Sequence, residues 1–361
     1  MQKLLVLLVS SLLLSYFPVF SQEHYTIRGK VVDSTTQQAL NGASVFCQNT
    51  TFGVITNADG EFSITLPRGG YDLVVSYTGY QSSEQRINAS VTEPLLIQML
   101  AKDKSMESVT VAGSNEVPDG WTKYGGFFQE QFFGTTENAA QCVLENPEAL
   151  RFFYSKKRNR LKVLAKEDLR IVNNALGYRI RYQLDSLSFE YATKVSTFSG
   201  YPFFENMTGT EEQDKKWYAN RRKAYRGSKL HFMRSWHDST IQQQAFALEK
   251  VNPDSRDFES TPIENYYDSS FYFSDSSIVD VSLTGKFRII YRGEMPDPKF
   301  VRYYKLPSHI RVQLSVLDIR DAFVIEENGY WYEQADLINS GYWSYERIAE
   351  ALPYDYTPPR E

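Results

Sequence analysis

The chain has only two cysteines, Cys47 and Cys142, and four histidines among 361 residues. Two thiols cannot make a disulfide-stapled scaffold, and a chain of this length has enough apolar residues to fold without staples. In an oxidising compartment the two thiols have the option of pairing, which would tie the two halves of the chain together. Cys47 shares a strand-like stretch with Val45 and Phe46, and this favours two separate buried thiols over a bridge.

The scarcity of histidine excludes more. Three residues after His24, His231, His237 and His309 stand Ile27, Arg234, Thr240 and Val312. Neither His-x-x-Glu nor His-Glu-x-x-His therefore occurs, and the zinc peptidase patterns are absent. His231 and His237 with Asp238 are the one remaining metal option, weighed against ordinary surface or core histidines. A Gly-x-Ser-x-Gly elbow, a P-loop and a Gly-x-Gly-x-x-Gly run are also missing. Cys142 has no neighbouring histidine. Glu211 with any distant acid can be imagined as a glycosidase pair, but only a measured separation gives such a pair meaning. No catalytic residue, metal or cofactor is expected.

Basic charge is not in excess either. The net charge is −5, and removal of residues 1–21 takes away only Lys3, leaving −6. Sequence-independent nucleic-acid binding needs a basic footprint, so a nucleic-acid partner is not expected. The local basic runs at Lys156, Lys157, Arg158 and Arg160, and at Arg221, Arg222, Lys223 and Arg226, read as solvated faces.

Long apolar runs are confined to the start. Lys3 precedes an apolar stretch from Leu4 to Leu14, and Val19-Phe20-Ser21 offers a small-residue exit before Gln22. This is the pattern of an export signal over residues 1–21, with an uncleaved N-terminal anchor as the alternative. No later segment is long and apolar enough to span a bilayer as a helix.

Short β-type runs follow at Tyr25–Val32, Ala43–Gln48, Gly53–Thr56, Glu61–Leu66, Tyr71–Tyr77, Gln81–Asn88 and Leu95–Leu100. Asn41-Gly42, Asn57-Ala58-Asp59-Gly60, Pro67-Arg68-Gly69-Gly70 and Thr78-Gly79 punctuate them. Tyr71, Leu73, Val75 and Tyr77 share one face, and Val74 on the other face predicts a central strand with partial cover. Asp59-Gly60 supplies the positive φ of a tight hairpin. Regularly spaced short strands with glycine turns predict a sandwich or barrel, rather than βαβ units, over residues 22–100.

The order Arg28–Asp33, Leu40–Val45, Gly53–Phe62 and Val75–Tyr80 closely resembles the carboxypeptidase regulatory-like domain of exported Bacteroidetes-type proteins. The resemblance implies a transthyretin-like, seven-stranded sandwich, also described as a carbohydrate-binding-like fold. It implies an accessory domain rather than a peptidase, and the fold label does not establish sugar binding.

Residues 101–125 read as a linker, with a strand-like Met106–Gly113 and a loop at Gly113–Gly120. A similar sandwich and Val/Thr-rich segment occur in TonB-dependent receptors. About 240 residues remain, too few for a 22-stranded barrel at roughly 10 residues per strand plus loops, and the final Thr357–Glu361 lacks a terminal aromatic residue. A receptor barrel is therefore not expected.

Residues 126–361 mix both element types and predict an α+β domain. Gln141–Phe153 reads as a helix interrupted at Asn146-Pro147. Tyr178–Asp185 alternates as a half-buried strand. Thr210 with Gln213 forms a capping box for a helix to about Tyr225, and Ser228 caps a second helix through Trp236. Strands are expected at Ala245–Val251, Phe271–Phe273, Ile278–Thr284, Phe287–Tyr291, Ile310–Val316 and Ala322–Glu326, and a last helix at Tyr345–Leu352. Asn173–Tyr178, Ala224–Ser228 with His231-Phe232, and Gly341–Glu350 are similar to the C-terminal halves of exported proteins that carry the same sandwich. That resemblance supports the architecture and brings no catalytic residues.

Aromatic residues are abundant, at 15% with 25 Tyr and 23 Phe. Core filling is their ordinary use, while exposed clusters can stack on sugars or anchor proteins. The candidate ligand-binding residues are Trp331, Tyr332, Tyr342 and Trp343, with Trp331 expected to be exposed beside a turn at Gly329-Tyr330. The expectation is a non-enzymatic, exported protein of the periplasm or outer membrane, or secreted. Its partner would be an envelope protein or a glycan. A glycan-binding module and a hydrolase with an unfamiliar site are the alternatives.

Overall fold

The computed structural model describes residues 24–102, 115–253, 259–275 and 277–359. The export segment and the strand expected at Met106–Gly113 lie outside the described residues.

Seven strands form the first domain: β1 (His24–Asp33), β2 (Ser44–Cys47), β3 (Gly53–Ile55), β4 (Glu61–Pro67), β5 (Tyr71–Ser76), β6 (Ser83–Ile87) and β7 (Leu95–Met99). They make two sheets, ordered β4-β1-β7 and β3-β2-β5-β6. In β4 the alternation is strict: Phe62, Ile64 and Leu66 point inward and their neighbours face solvent. They meet Val45, Leu73 and Val75 from the opposite sheet in an aliphatic core. The loop at Asn57–Gly60 does not join a hairpin as expected. It carries the chain from β3 in one sheet to β4 in the other. Gly60 adopts φ +75, and a Cβ there would lie 2.5 Å from the Val31 carbonyl oxygen, so glycine is required on both counts.

The second domain begins with a helix, α1 (Gly120–Phe132), inside what the sequence reads as linker. Its glycines argue against a helix by propensity but allow a close approach: a Cβ on Gly120 would lie 2.6 Å from the Phe152 ring. The helix packs Phe128 and Phe132 onto a six-stranded antiparallel sheet. Those strands are β8 (Cys142–Leu144), β9 (Leu150–Ser155), β10 (Arg160–Ala165), β11 (Leu169–Asn173), β12 (Tyr178–Glu190) and β13 (Val195–Asn206). The long β12 organises the sheet: β13 runs along one edge, while β11 pairs with its first half and β10 with its second.

The expected helix at Gln141–Phe153 is not formed. Pro147 starts only a single 3-10 turn, because buried Asn146 bonds to the β11 approach through Arg170 N (2.8 Å) and Asp168 O (3.0 Å). The chain then enters β9, where Leu150 and Phe152 point inward.

Next come α2 (Glu211–Tyr225) and α3 (Lys229–His237). The capping box at Thr210 and Gln213 is present, and Ser228 Oγ accepts from His231 N at 3.1 Å. The remaining strands are β14 (Phe246–Val251), β15 (Ser260–Pro262), β16 (Tyr272–Ser274), β17 (Ile278–Val281), β18 (Gly285–Tyr291), β19 (Gln313–Ile319), β20 (Phe323–Glu326) and β21 (Leu337–Gly341). They form a five-stranded sheet, β15-β14-β18-β19-β21, and a three-stranded sheet, β16-β17-β20. Two short helices, α4 (Pro298–Tyr303) and α5 (Tyr342–Tyr345), complete the fold. The helix expected at Tyr345–Leu352 is displaced: α5 ends at Tyr345, Arg347 is extended, and a 3-10 turn follows at Ile348–Glu350. The architecture is an all-β sandwich joined to an α+β domain. Among the described residues no helix is long and apolar enough to cross a membrane.

Candidate functional site: a cavity at the domain seam

The sandwich does not hang free. Phe46 and Val74 leave the outer face of its four-stranded sheet and pack on Phe203 of β13. The partial cover expected of Val74 is thus supplied by the second domain. Arg181 lies over both rings, 5.4 Å from Phe46 and 5.0 Å from Phe203, and donates to Ser44 Oγ at 2.8 Å. The loop after β2 is threaded between β13 and the C-terminal tail. Asn49 N donates to Pro202 O, Phe204 N to Thr50 O, and Tyr354 N to Asn49 O, at 2.7–2.9 Å. Asp355 accepts from both Thr51 N and Thr51 Oγ1. Deeper in the joint, Tyr330 donates to Asp72 Oδ1 at 2.7 Å. Burial pushes the Asp72 carboxyl up, and the Tyr330 hydroxyl partly offsets this.

Where this joint meets the start of α3, a cavity of about 520 Å³ opens. Asn49 contributes from the sandwich and Phe198 from β13. Ser228, Lys229 and Leu230 come from the start of α3. Trp331, Trp343, Ile348, Ala351 and Leu352 add apolar wall. Trp343 is fixed: its Nε1 donates to Gly227 O at 2.7 Å and its ring packs on Phe232. Lys229 Nζ lies 4.1 Å from the Trp331 ring centre and 3.5 Å from Asn339 Oδ1. Removal from water holds its ammonium down to about 7.

Glu346, Arg347, Glu350 and Tyr354 also line the cavity. Glu350 is engaged through both oxygens, by Thr136 Oγ1 at 2.5 Å and Asn138 Nδ2 at 2.7 Å. Arg347 donates to Gln131 O and to Ser196 Oγ. Burial raises the Glu346 carboxyl well above the usual carboxylate range, and the nearby Glu350 adds to this.

The structure splits the four residues named from the sequence. Trp331 and Trp343 share the cavity wall. Tyr332 lies at the sandwich joint, under Arg86 at 4.1 Å and donating to Glu326. Tyr342 packs against Phe300 at 5.0 Å. All four are buried, and Trp331 is only 9% exposed, which overturns the expectation that it faces solvent. The turn at Asn328-Gly329 folds β20 back on itself, so that Trp331 bridges to Ile325 and packs on Tyr354.

The histidines do not converge on a metal. His231 is buried, accepts from Gly227 N at 3.1 Å and meets Gln244 Oε1 at 3.0 Å, while burial lowers it to about 4. His237 pairs with Asp238 at 2.8 Å. Both thiols are free, with Cys47 in the sandwich core. Burial raises Cys47, and Cys142 to about 12, so neither is an activated nucleophile. Glu211 is exposed and pairs with Lys215 at 2.6 Å. Lys156, Lys157 and Arg158 occupy a solvated turn.

Sequence reasoning passed over Lys229 and Glu346. Lys229 had one signal, its place directly after the Ser228 cap. Glu346 stood in the quoted tail but had no spacing that marked it.

Comparison with known proteins agrees with the sandwich. Residues 27–111 match the CarboxypepD_reg-like domain family. The chain is 33% identical over 119 residues to the TonB-dependent receptor SusC of Bacteroides thetaiotaomicron. That match covers 32% of this chain and only 11% of the receptor. Among solved structures, a DUF3823 family protein from Bacteroides ovatus aligns with 52% of this chain and 83% of its own, at 10% identity and TM-score 0.18. A putative membrane-associated protein of unknown function from Bacteroides fragilis aligns with 45% and 65%, at 14% identity and TM-score 0.18.

Proposed function

We propose that this chain, whose residues 27–111 match the CarboxypepD_reg-like domain family, is a non-enzymatic, exported envelope protein in which the sandwich braces a binding domain. The observation that carries this reading is the joint. Phe46 and Val74 on the outer face of the four-stranded sheet are covered by Phe203 and Arg181, and the β2–β3 loop helps wall the cavity through Asn49. A domain used in this way acts as scaffold, and the second domain is left to meet the partner.

The cavity gives the hydrolase alternative its one supporting observation, because two acids line it. Hydrolysis by paired carboxylates needs both acids available to substrate. Glu350 has both oxygens engaged, so Glu346 lacks a free partner acid. Burial of Trp331, Tyr332, Tyr342 and Trp343 also weakens the glycan-platform alternative, which needs exposed rings.

The test is a mild-crosslinking pull-down of the tagged mature protein from its native envelope, read by mass spectrometry. One stoichiometric protein partner that survives high salt supports the proposal. Recovery of the chain alone counts against it.

A further inference from the structure

The cavity wall at the start of α3 brings together the amine of Lys229 and the N-terminal turn of a helix. Helix geometry leaves the N–H groups of the first residues, Lys229 and Leu230, without intrahelical partners. The nine-residue helix also directs the positive end of its dipole to this end. Lys229 Nζ is held over the Trp331 ring, and its one polar contact is the long one to Asn339. The Trp331 ring backs Lys229 as part of the wall, its buried Nε1 making no hydrogen bond and offering none to the cavity. Apart from this corner, Phe198, Leu230, Trp343 and Leu352 make the lining largely apolar. A volume of about 520 Å³ falls in the range used for small organic ligands.

The geometry points to a site for a small amphipathic carboxylate: its apolar body lies along Trp343, Phe198 and Leu352, and its anionic group meets Lys229 and the α3 N-terminus. Glu346 does not oppose this. Burial holds its carboxyl well above the usual carboxylate range, which favours the uncharged form and weakens its opposition to a bound anion. The anion supplies the counter-charge that Lys229 lacks and draws its amine back to the protonated form.

Affinity therefore depends on pH. The ionisable groups sharing the cavity with Lys229 are Glu346, Arg347, Glu350 and Tyr354. Arg347 stays charged near neutrality, and burial pushes Tyr354 far above it. Lys229 loses its proton as pH rises through about 7. Ionisation of Glu346 or Glu350 would act in the same direction, so carboxylate affinity falls with rising pH.

The test uses the purified, full mature chain and needs no envelope partner. Indole fluorescence is followed while 4-phenylbutyrate is added at about pH 6.5, just below the Lys229 value. A saturable change is expected. The neutral amide, 4-phenylbutanamide, should bind about tenfold or more weakly, the loss of one charge-assisted hydrogen bond. Lys229→Met should lose the same factor and Lys229→Arg should retain part of it. Equal affinity for acid and amide in the wild-type chain would overturn the proposal, with no variant required. So would unchanged binding in Lys229→Met, or the absence of a saturable change with the acid.

Discussion

The two cores of this molecule are built differently. The sandwich interior is mainly aliphatic, with Ile27, Val31, Ile64, Leu73 and Val75 drawn from facing strands. The second domain is held by rings, among them Phe128, Phe132, Tyr182, Phe232, Trp236 and Phe246. Aliphatic side chains on a regular pleat interdigitate and close the space between two sheets. Large planar rings meet edge to face, as Phe132 does on Tyr182 at 4.9 Å, and need irregular backbone to seat them. The described cavity lies in the ring-built half and against the joint, where both packing regimes end. The difference teaches that the sandwich is a closed support: this cavity opens where it stops, and a second one of about 780 Å³ lies wholly within the second domain.

The strongest way to break this comparison is at the joint. Phe203 is 8% exposed and closes the cluster with Phe46 and Val74. Phe203→Ala should cost about 3 kcal/mol, the low end for a buried Phe because the cluster is small. Calorimetry should show one coupled transition for the parent chain. In the variant, a sandwich transition and a second-domain transition should separate. A variant that still melts as one unit would mean that the polar contacts at Asn49 and Asp355 couple the domains by themselves.

Asp72 sharpens the comparison through pH. It is a carboxyl within the aliphatic half, and its partner Tyr330 belongs to the ring-built half. Burial raises its folded pKa above the ordinary 3.8. The folded state then binds more protons than the unfolded state between those two values. Stability contributed by Asp72 is therefore lost as pH rises through that window, and above it the buried charge is a constant cost. Asp72→Asn keeps an acceptor for the Tyr330 hydroxyl and removes the charge. The expected result is a urea midpoint at neutral pH equal to or above the parent's, with the difference shrinking in acid. A lower midpoint for Asp72→Asn at neutral pH would show that the ionised carboxylate is a net stabiliser of the joint.

The same contrast explains what could be read from residues alone. All seven sandwich strands are visible in the sequence as short β-type runs, several set off by local turn signals, with β4 alternating strictly about the core. β5 even announced its second contact through Val74. In the second domain the caps at Thr210 and Ser228 and the alternation from Tyr178 were equally legible, since each is a local pattern. Gln141–Phe153 misled because Asn146 makes long-range bonds across to β11, which sequence order does not reveal. α1 was hidden by its glycines, of which Gly120 lies against the Phe152 ring and Gly125 against the Trp121 ring. Trp331 and Trp343 were named for their ring chemistry, and the structure puts both on the cavity wall. Lys229 acquires its altered acidity from burial, and Glu346 from burial and the neighbouring acid Glu350, and no residue pattern encodes either.

The smallest expected effects lie on the exposed face of α2, where the fold is local and touches neither core closely. Thr210 Oγ1 accepts from Gln213 N, and Gln213 Oε1 accepts from Thr210 N. Thr210→Ala removes one half of this box and should cost about 1 kcal/mol by urea unfolding. Glu211, next along the helix, pairs with Lys215 while both side chains are largely in water, 85% and 75% exposed. Glu211→Gln loses an exposed pair and a first-turn acid, so the change should stay within about 0.5 kcal/mol and shrink further in salt. A larger effect from Glu211→Gln than from Thr210→Ala would place Glu211 in a contact outside this chain. The exposed acid would then be part of a partner surface rather than a helix-terminal charge.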